Sequence, residues 1–142
     1  RYRDGVYIDP KRVKESDLEA VCVHVNPYTN EQFIEIPPGD FVLGCSNEYF
    51  NLPSDVTAIV LGKSTNARCA VHLLATPGEA GWRGYWTLEI ANVSARNFVR
   101  VYVNEGIGQV LFFRGEPCEV PYGDGPYQDQ GPSVKLPQVG GK

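Results

Sequence analysis

Three short stretches concentrate the residues of this 142-residue chain that are equipped for chemistry. The first is Gly62-Lys63-Ser64-Thr65-Asn66-Ala67-Arg68, directly after the apolar run Val56–Leu61. A glycine that frees the backbone, two hydroxyls and two cations gathered in one place suit an anion such as phosphate. The segment is not a P-loop, because Thr57 stands where that motif needs its upstream glycine. The same residues also read as a polar surface turn. The second stretch runs from Gly81 to Asn92 and carries Glu89 inside an apolar strand. Strand alternation with Leu88 and Ile90 on one face puts Thr87 and Glu89 on the other. If that face meets solvent, Glu89 is an ordinary surface carboxylate. If it lines a pocket, burial raises its pKa and suits it to carry protons. Trp82 and Trp86 are expected in the core. The third stretch, Glu105 to Phe113, is a turn followed by an apolar strand with one interior amide, Gln109. Such an amide is exposed, bonded to backbone or, near a ligand, in contact with a phosphate or base.

The elements that must position these residues are short and rich in β-branched and aromatic side chains. They are Ala20–Val25, Phe33–Ile36, Phe41–Cys45, Val56–Leu61, Cys69–Ala75, Tyr85–Ala91, Phe98–Val103 and Ile107–Phe113. Turn residues separate them, as in Pro37-Pro38-Gly39-Asp40 and Thr76-Pro77-Gly78. Such spacing predicts an all-β sandwich or barrel. Within Phe98–Val103, Val99, Val101 and Val103 alternate with Phe98, Arg100 and Tyr102, a period of two. Helical periodicity is weak, with at most a turn or two in Lys11–Ala20. After Pro117 the aliphatic content drops. Residues 1–120 therefore read as the β domain and 121–142 as an irregular tail, either a solvated end or a flap that orders over a ligand.

Composition narrows the function. The net charge is −4, without the basic surplus that binding to a nucleic-acid polymer calls for. A small anionic ligand needs only a few local groups. No apolar run is long enough to span a membrane. The four cysteines, Cys22, Cys45, Cys69 and Cys118, never fall at C-x-x-C spacing. They read as reduced core thiols of a cytoplasmic protein. The zinc-deaminase signature requires H-x-E and P-C-x-x-C. Here His24 precedes Val25-Asn26, His72 precedes Leu73-Leu74, and Pro117-Cys118 precedes Glu119-Val120-Pro121. No metal ligand set is expected.

Taken in order, the segments resemble the dCTP deaminase branch of the trimeric dUTPase-like superfamily. The resemblance rests on Gly62–Arg68 with Cys69, Thr76-Pro77, Trp82-x-Gly84-x-x-Thr87-Leu88-Glu89 and Asn92. It continues through Asn104–Phe113 and the tail residues Cys118-Glu119, Tyr122, Tyr127-Gln128, Gln130-Gly131 and Lys135-Leu136-Pro137. It implies a distorted jelly-roll or β-clip barrel, and a homotrimer with active sites between subunits. It also implies hydrolytic deamination of dCTP to dUTP without catalytic zinc, with Mg²⁺ riding on the triphosphate. By the same resemblance Glu89 is the general acid/base. Ser64 and Arg68 orient the water and Glu89, and Arg68 opposes a burial-driven rise in the Glu89 pKa. Lys63, Ser64, Thr65 and Gln109 hold phosphates, the backbone of Thr76 and Pro77 lines the base, and Tyr122, Tyr127 and Gln130 belong to the closing tail.

The chain departs from the family pattern in places. Pro126 stands where the family has a tail lysine that reaches the triphosphate, and the Tyr122–Tyr127 segment is shorter. Gly78 and Gly81 fall in a loop that is usually bulkier. The family's additional N-terminal segment does not precede Arg1, so a fragment or a reduced homologue is expected. Two readings compete with plain dCTP deamination. One is a bifunctional enzyme that also cleaves the triphosphate, and the other is a non-catalytic trimeric nucleotide-binding homologue. A pure dUTPase fits less well, because Gly78-Glu79-Ala80-Gly81-Trp82 lacks its Asp and Tyr.

Overall fold

The computed structural model describes residues 1–138. The end of the expected 121–142 tail, including Gly140-Gly141-Lys142, lies outside them. Eight strands and one short helix follow each other along the chain. They are β1 (His24–Val25), β2 (Gln32–Ile36), β3 (Phe41–Asn51), β4 (Val56–Gly62), α1 (Ser64–Arg68), β5 (Val71–Leu74), β6 (Arg83–Asn92), β7 (Val99–Tyr102) and β8 (Gly108–Arg114). They form three antiparallel sheets, ordered β1-β2-β7, β3-β6-β5 and β4-β8. The expected all-β class is the one observed.

Alternation decides which side chains meet in the middle. Along β4, Val56, Ala58 and Val60 are buried while Thr57, Ile59 and Leu61 are exposed. Val99 and Val101 of β7 are buried as the period-two reading expects, whereas Val103 falls outside the strand and is exposed. The two tryptophans are core, each 5% exposed, their ring centroids 5.0 Å apart. The Gly78 backbone exchanges two 2.8 Å hydrogen bonds with Ala58. A Cβ at Gly78 would lie 2.7 Å from the Trp86 ring. Only glycine lets the loop approach that closely, which accounts for the small residue found there.

Several expected boundaries move for identifiable reasons. The Ala20–Val25 strand shrinks to His24–Val25, and just before it Leu18 and Glu19 are tied to the N-terminus, through Glu19 N–H to Arg1 O (2.8 Å) and the Tyr2–Leu18 bridge. The helical turn expected in Lys11–Ala20 is a 3-10 turn, Glu15–Asp17. The Cys69–Ala75 strand starts only at Val71, since Cys69 and Ala70 close the end of α1. Strand β3 runs on to Asn51 through a bulge, where register jumps between Cys45 and Tyr49. The bulge leaves the Trp86 N–H without a ladder carbonyl, and Ser46 Oγ accepts it at 2.9 Å. The cysteines are corrected too. All four are free, but Cys22, Cys69 and Cys118 are exposed and only Cys45 is half-buried, so they are not core thiols.

Asn92 ends β6 and is 2% exposed. Its Nδ2 donates to the carbonyls of Ile36, Pro37 and Asn97 at 2.8–2.9 Å, and its Oδ1 accepts from Ser94 N–H at 2.9 Å. One amide thus joins β6, the end of β2 and the loop into β7. Truncation leaves buried carbonyls unmatched, each group costing about 1–3 kcal/mol. Asn92→Ala should lower the urea midpoint by the equivalent of roughly 2–3 kcal/mol at an unchanged slope. A midpoint within error of wild type would show that water replaces the amide.

Candidate active site

Strand β6 is paired on both edges, to β3 and to β5. Its face opposite the core carries Thr87 and Glu89 into a cavity of about 640 Å³. Glu89 lies in register with Leu43 of β3 and Leu74 of β5. Thr76, Pro77 and Glu79 form one wall, and Tyr122, Tyr127, Gln130 and Lys135 of the tail close over it.

Glu89 is half-buried. Desolvation among these neighbours raises its pKa above the ordinary carboxylate value, and a backbone hydrogen bond opposes the rise only in part. None of the ion pairs among the described residues includes it. A half-desolvated carboxyl without a cation gives up and takes back a proton readily, which is what general acid/base work needs.

The tail is irregular, as its composition implies, but it is not a solvated end. Gln130 is 6% exposed and forms a parallel bridge with Gly84. The Trp82 indole N–H donates to Tyr127 O at 2.8 Å. Gln128 Nε2 donates to Gly81 O, and its Oε1 accepts from Arg83 N–H. Tyr122 OH accepts from Tyr127 N–H at 3.2 Å. Gln130 Nε2 and Lys135 N–H both donate to Thr87 Oγ1, at 2.7 and 3.0 Å. Gly84 permits this docking. Its φ is +148°, and a Cβ there would stand 2.9 Å from Gln130 N.

The first stretch folds differently from a polar turn. Ser64–Arg68 is one helical turn, with Lys63 as its N-cap residue. It docks on the start of β8 through Lys63 N–H to Ile107 O (3.0 Å) and Asn66 Nδ2 to the same oxygen (3.4 Å). Lys63, Ser64, Thr65, Arg68 and Gln109 are all exposed. Gln109 pairs with Leu61, immediately before this segment. None of these five residues lines the Glu89 cavity. Within one chain the candidate residues therefore form two groups. Glu89, Thr76, Pro77, Tyr122, Tyr127 and Gln130 meet in the cavity, and the α1 cluster with Gln109 stands apart. The contact between Arg68 and Glu89 is not made within the chain, and the Glu89 pKa goes up.

Sequence reading assigned no role to Glu79, Thr87 or Lys135 as cavity residues. Alternation places Thr87 beside Glu89. Nothing local marks Glu79, and Lys135 appears only as part of the tail motif Lys135-Leu136-Pro137. Among the described residues no group of three or more His, Cys, Asp and Glu side chains is placed to share a metal ion, and no helix is long and apolar enough to cross a membrane.

Comparison with known proteins decides the family. A family model described as dCTP deaminase-like matches residues 3–115. The chain belongs to the dCTP deaminase-like family. Among its relatives, a dCTP deaminase of Campylobacter fetus is 41% identical, over 95% of this chain and 69% of the relative. One of Acidobacterium capsulatum is 43% identical, over 96% and 70%. One of Chloroflexus aggregans is 46% identical, over 93% and 67%. In this dCTP deaminase-like chain, the quoted motifs fall on the two groups of residues described above.

Two outcomes follow from the site's geometry. Gly84→Ala should free the tail, so that limited proteolysis cuts between residues 121 and 138 faster than in wild type. Equal cutting rates would mean that the tail is held elsewhere. The second outcome concerns Glu89, whose folded pKa is raised above 4.5. The folded chain then binds this proton more tightly than the unfolded chain. Its contribution to stability is fully present below the unfolded value and is lost as pH rises through the folded one. In an Arg68→Ala background, which removes the cation assigned to Glu89 by resemblance, Glu89→Gln should raise the Tm at neutral pH. The gain should vanish below pH 4.5. A lower Tm at neutral pH would show the charge to be stabilised in place.

Proposed function

We propose that this chain is a subunit of a homotrimeric dCTP deaminase that hydrolyses dCTP to dUTP and ammonia. The observation that carries the reading is Glu89, a desolvated carboxyl on the wall of a cavity roofed by the tail. In the reaction a water proton passes to the Glu89 carboxylate as the oxygen adds to C4 of the cytosine. Glu89 returns that proton to N3. Glu89 next takes the proton of the new C4 hydroxyl and gives it to N4, the C4–N4 bond breaks, ammonia leaves and the carbonyl of uracil forms. The backbone of Thr76 and Pro77 lines the base, and the bridge from Gly78 to Ala58 keeps that loop rigid.

Ser64 and Arg68 enter the site from a neighbouring copy, with Lys63, Thr65 and Gln109 directed to the phosphates. Arg68 then draws the Glu89 pKa back down and stabilises charge on the intermediate. What supports an assembly is the outer face of β4–β8. Ile59 faces Leu111, Thr57 faces Phe113 and Leu61 faces Gln109, and all the apolar members of these pairs are exposed. An apolar strip of this kind, running up to the α1 cluster, fits a surface covered by another copy. Magnesium would arrive on the triphosphate, held by phosphate oxygens and water. When bound, the ion neutralises phosphate charge. We read the enzyme as cytoplasmic, where its four thiols remain reduced.

The test is incubation with dCTP or dUTP plus Mg²⁺ followed by chromatography. Formation of dUTP from dCTP supports the deaminase. Pyrophosphate release from dUTP adds the bifunctional reading, and binding without turnover replaces both with a nucleotide-binding homologue. Glu89→Gln should lower deamination about 10²–10⁴-fold and leave the trimer intact by light scattering. Arg68→Ala should also be inactive, and mixed assemblies of the two variants should regain measurable activity, since some sites then combine an intact Arg68 with an intact Glu89. A monomer at micromolar concentration, or no recovery on mixing, would remove the shared site.

A further inference from the structure

Two carboxylates, Glu79 and Glu89, line the cavity under the tail. Among the described residues the single cationic side chain lining it is Lys135. A nucleotide triphosphate is a polyanion that two carboxylates repel. An ammonium on the same wall provides the opposite charge together with three hydrogen-bond donors.

We propose that Lys135 binds a phosphate of the nucleotide and makes the cavity prefer phosphorylated deoxycytidine to the free nucleoside. The proposal deepens the deaminase reading and rests on it. Lys135 is placed through its backbone, whose N–H donates to Thr87 Oγ1 at 3.0 Å. The same hydroxyl accepts from Gln130 Nε2 at 2.7 Å, so two points of the tail are fastened to one strand residue. Thr87 is two positions before Glu89 on the same face of β6. The Lys135 backbone is therefore held close to the reacting carboxyl, while its side chain remains exposed at the cavity rim and free to swing. Pro126 lines the same cavity and carries no charge. The cations Lys63 and Arg68 lie outside it. On the tail side, neutralisation of the phosphates falls to Lys135.

The experiment measures affinity of the full chain for dCTP, deoxycytidine and inorganic tripolyphosphate, with Mg²⁺ present, for wild type, Lys135→Ala and Lys135→Arg. Losing a charge-assisted hydrogen bond should weaken dCTP binding by Lys135→Ala about ten- to a hundredfold, and leave deoxycytidine within about twofold. Tripolyphosphate should compete with dCTP on wild type and far less on Lys135→Ala. The arginine variant should restore most of the affinity. In turnover the loss should fall on KM more than on kcat. Unchanged dCTP affinity in Lys135→Ala would overturn the proposal. So would an equal loss for dCTP and deoxycytidine, because that pattern marks undocking of the tail. A wild type whose dCTP binding depends on Lys135 but which releases no ammonia would sink the deaminase reading and leave the phosphate contact standing.

Discussion

Pairing of β6 on both edges is the constraint on which the rest depends. A strand hydrogen-bonded to two neighbours cannot rotate, so each side chain is committed to one face. β3 pairs along β6 and β5 adds the second edge over Glu89–Asn92; Gly84, Trp86, Ile90 and Asn92 are buried. Thr87 and Glu89 are committed to the cavity. A slip of one residue would bury the carboxylate in the core and expose the tryptophan. The C-terminal end is held by the Asn92 amide, and the middle by the Ser46 hydroxyl that accepts from Trp86 N–H at the bulge. The position of the Glu89 carboxyl is thus a by-product of sheet register.

The cavity is built from sequence-distant parts. Its floor is a rigid strand, one wall is a loop stapled to β4 at Ala58, and its roof is an irregular segment held by side chains. That division matches the demands of the chemistry. In the proposed reaction the carboxyl and the loop backbone need fixed positions, whereas a roof must let a nucleotide in. The α1 cluster stands apart from the carboxyl, so the single chain carries two separate groups of polar residues. That separation also leaves the Glu89 pKa to be set by whatever approaches from outside.

Most of the strands were legible, because short β-branched runs between turn residues leave few alternatives. The face shared by Thr87 and Glu89 followed from alternation alone. The burial of Glu89 did not, since it depends on Leu43, Leu74 and a tail far away in sequence. The docking of that tail was hidden for the same reason: its composition has few aliphatic residues, and its attachments are scattered hydrogen bonds and one ion pair to residues between Ala80 and Thr87. Cysteine burial was misjudged because Cys69 closes a helix and Cys118 sits in irregular chain, where position overrides the apolar preference of the thiol. Lys135 stands in the tail motif Lys135-Leu136-Pro137, but its place in the Glu89 cavity depends on the hydrogen bond from its N–H to the Thr87 hydroxyl.

The indole hydrogen bond from Trp82 to Tyr127 has a consequence for timing. The roof has no ladder of its own, and its contacts are worth about 1 kcal/mol each. They can break one after another without disturbing the sheets beneath, on the microsecond-to-millisecond scale of lid motion. In the proposed enzyme, traffic of nucleotide and product through the cavity is then clocked by the tail and not by the barrel. Because one of the broken contacts is an indole N–H, each opening changes the surroundings of a buried fluorophore, and the protein carries its own reporter of that clock.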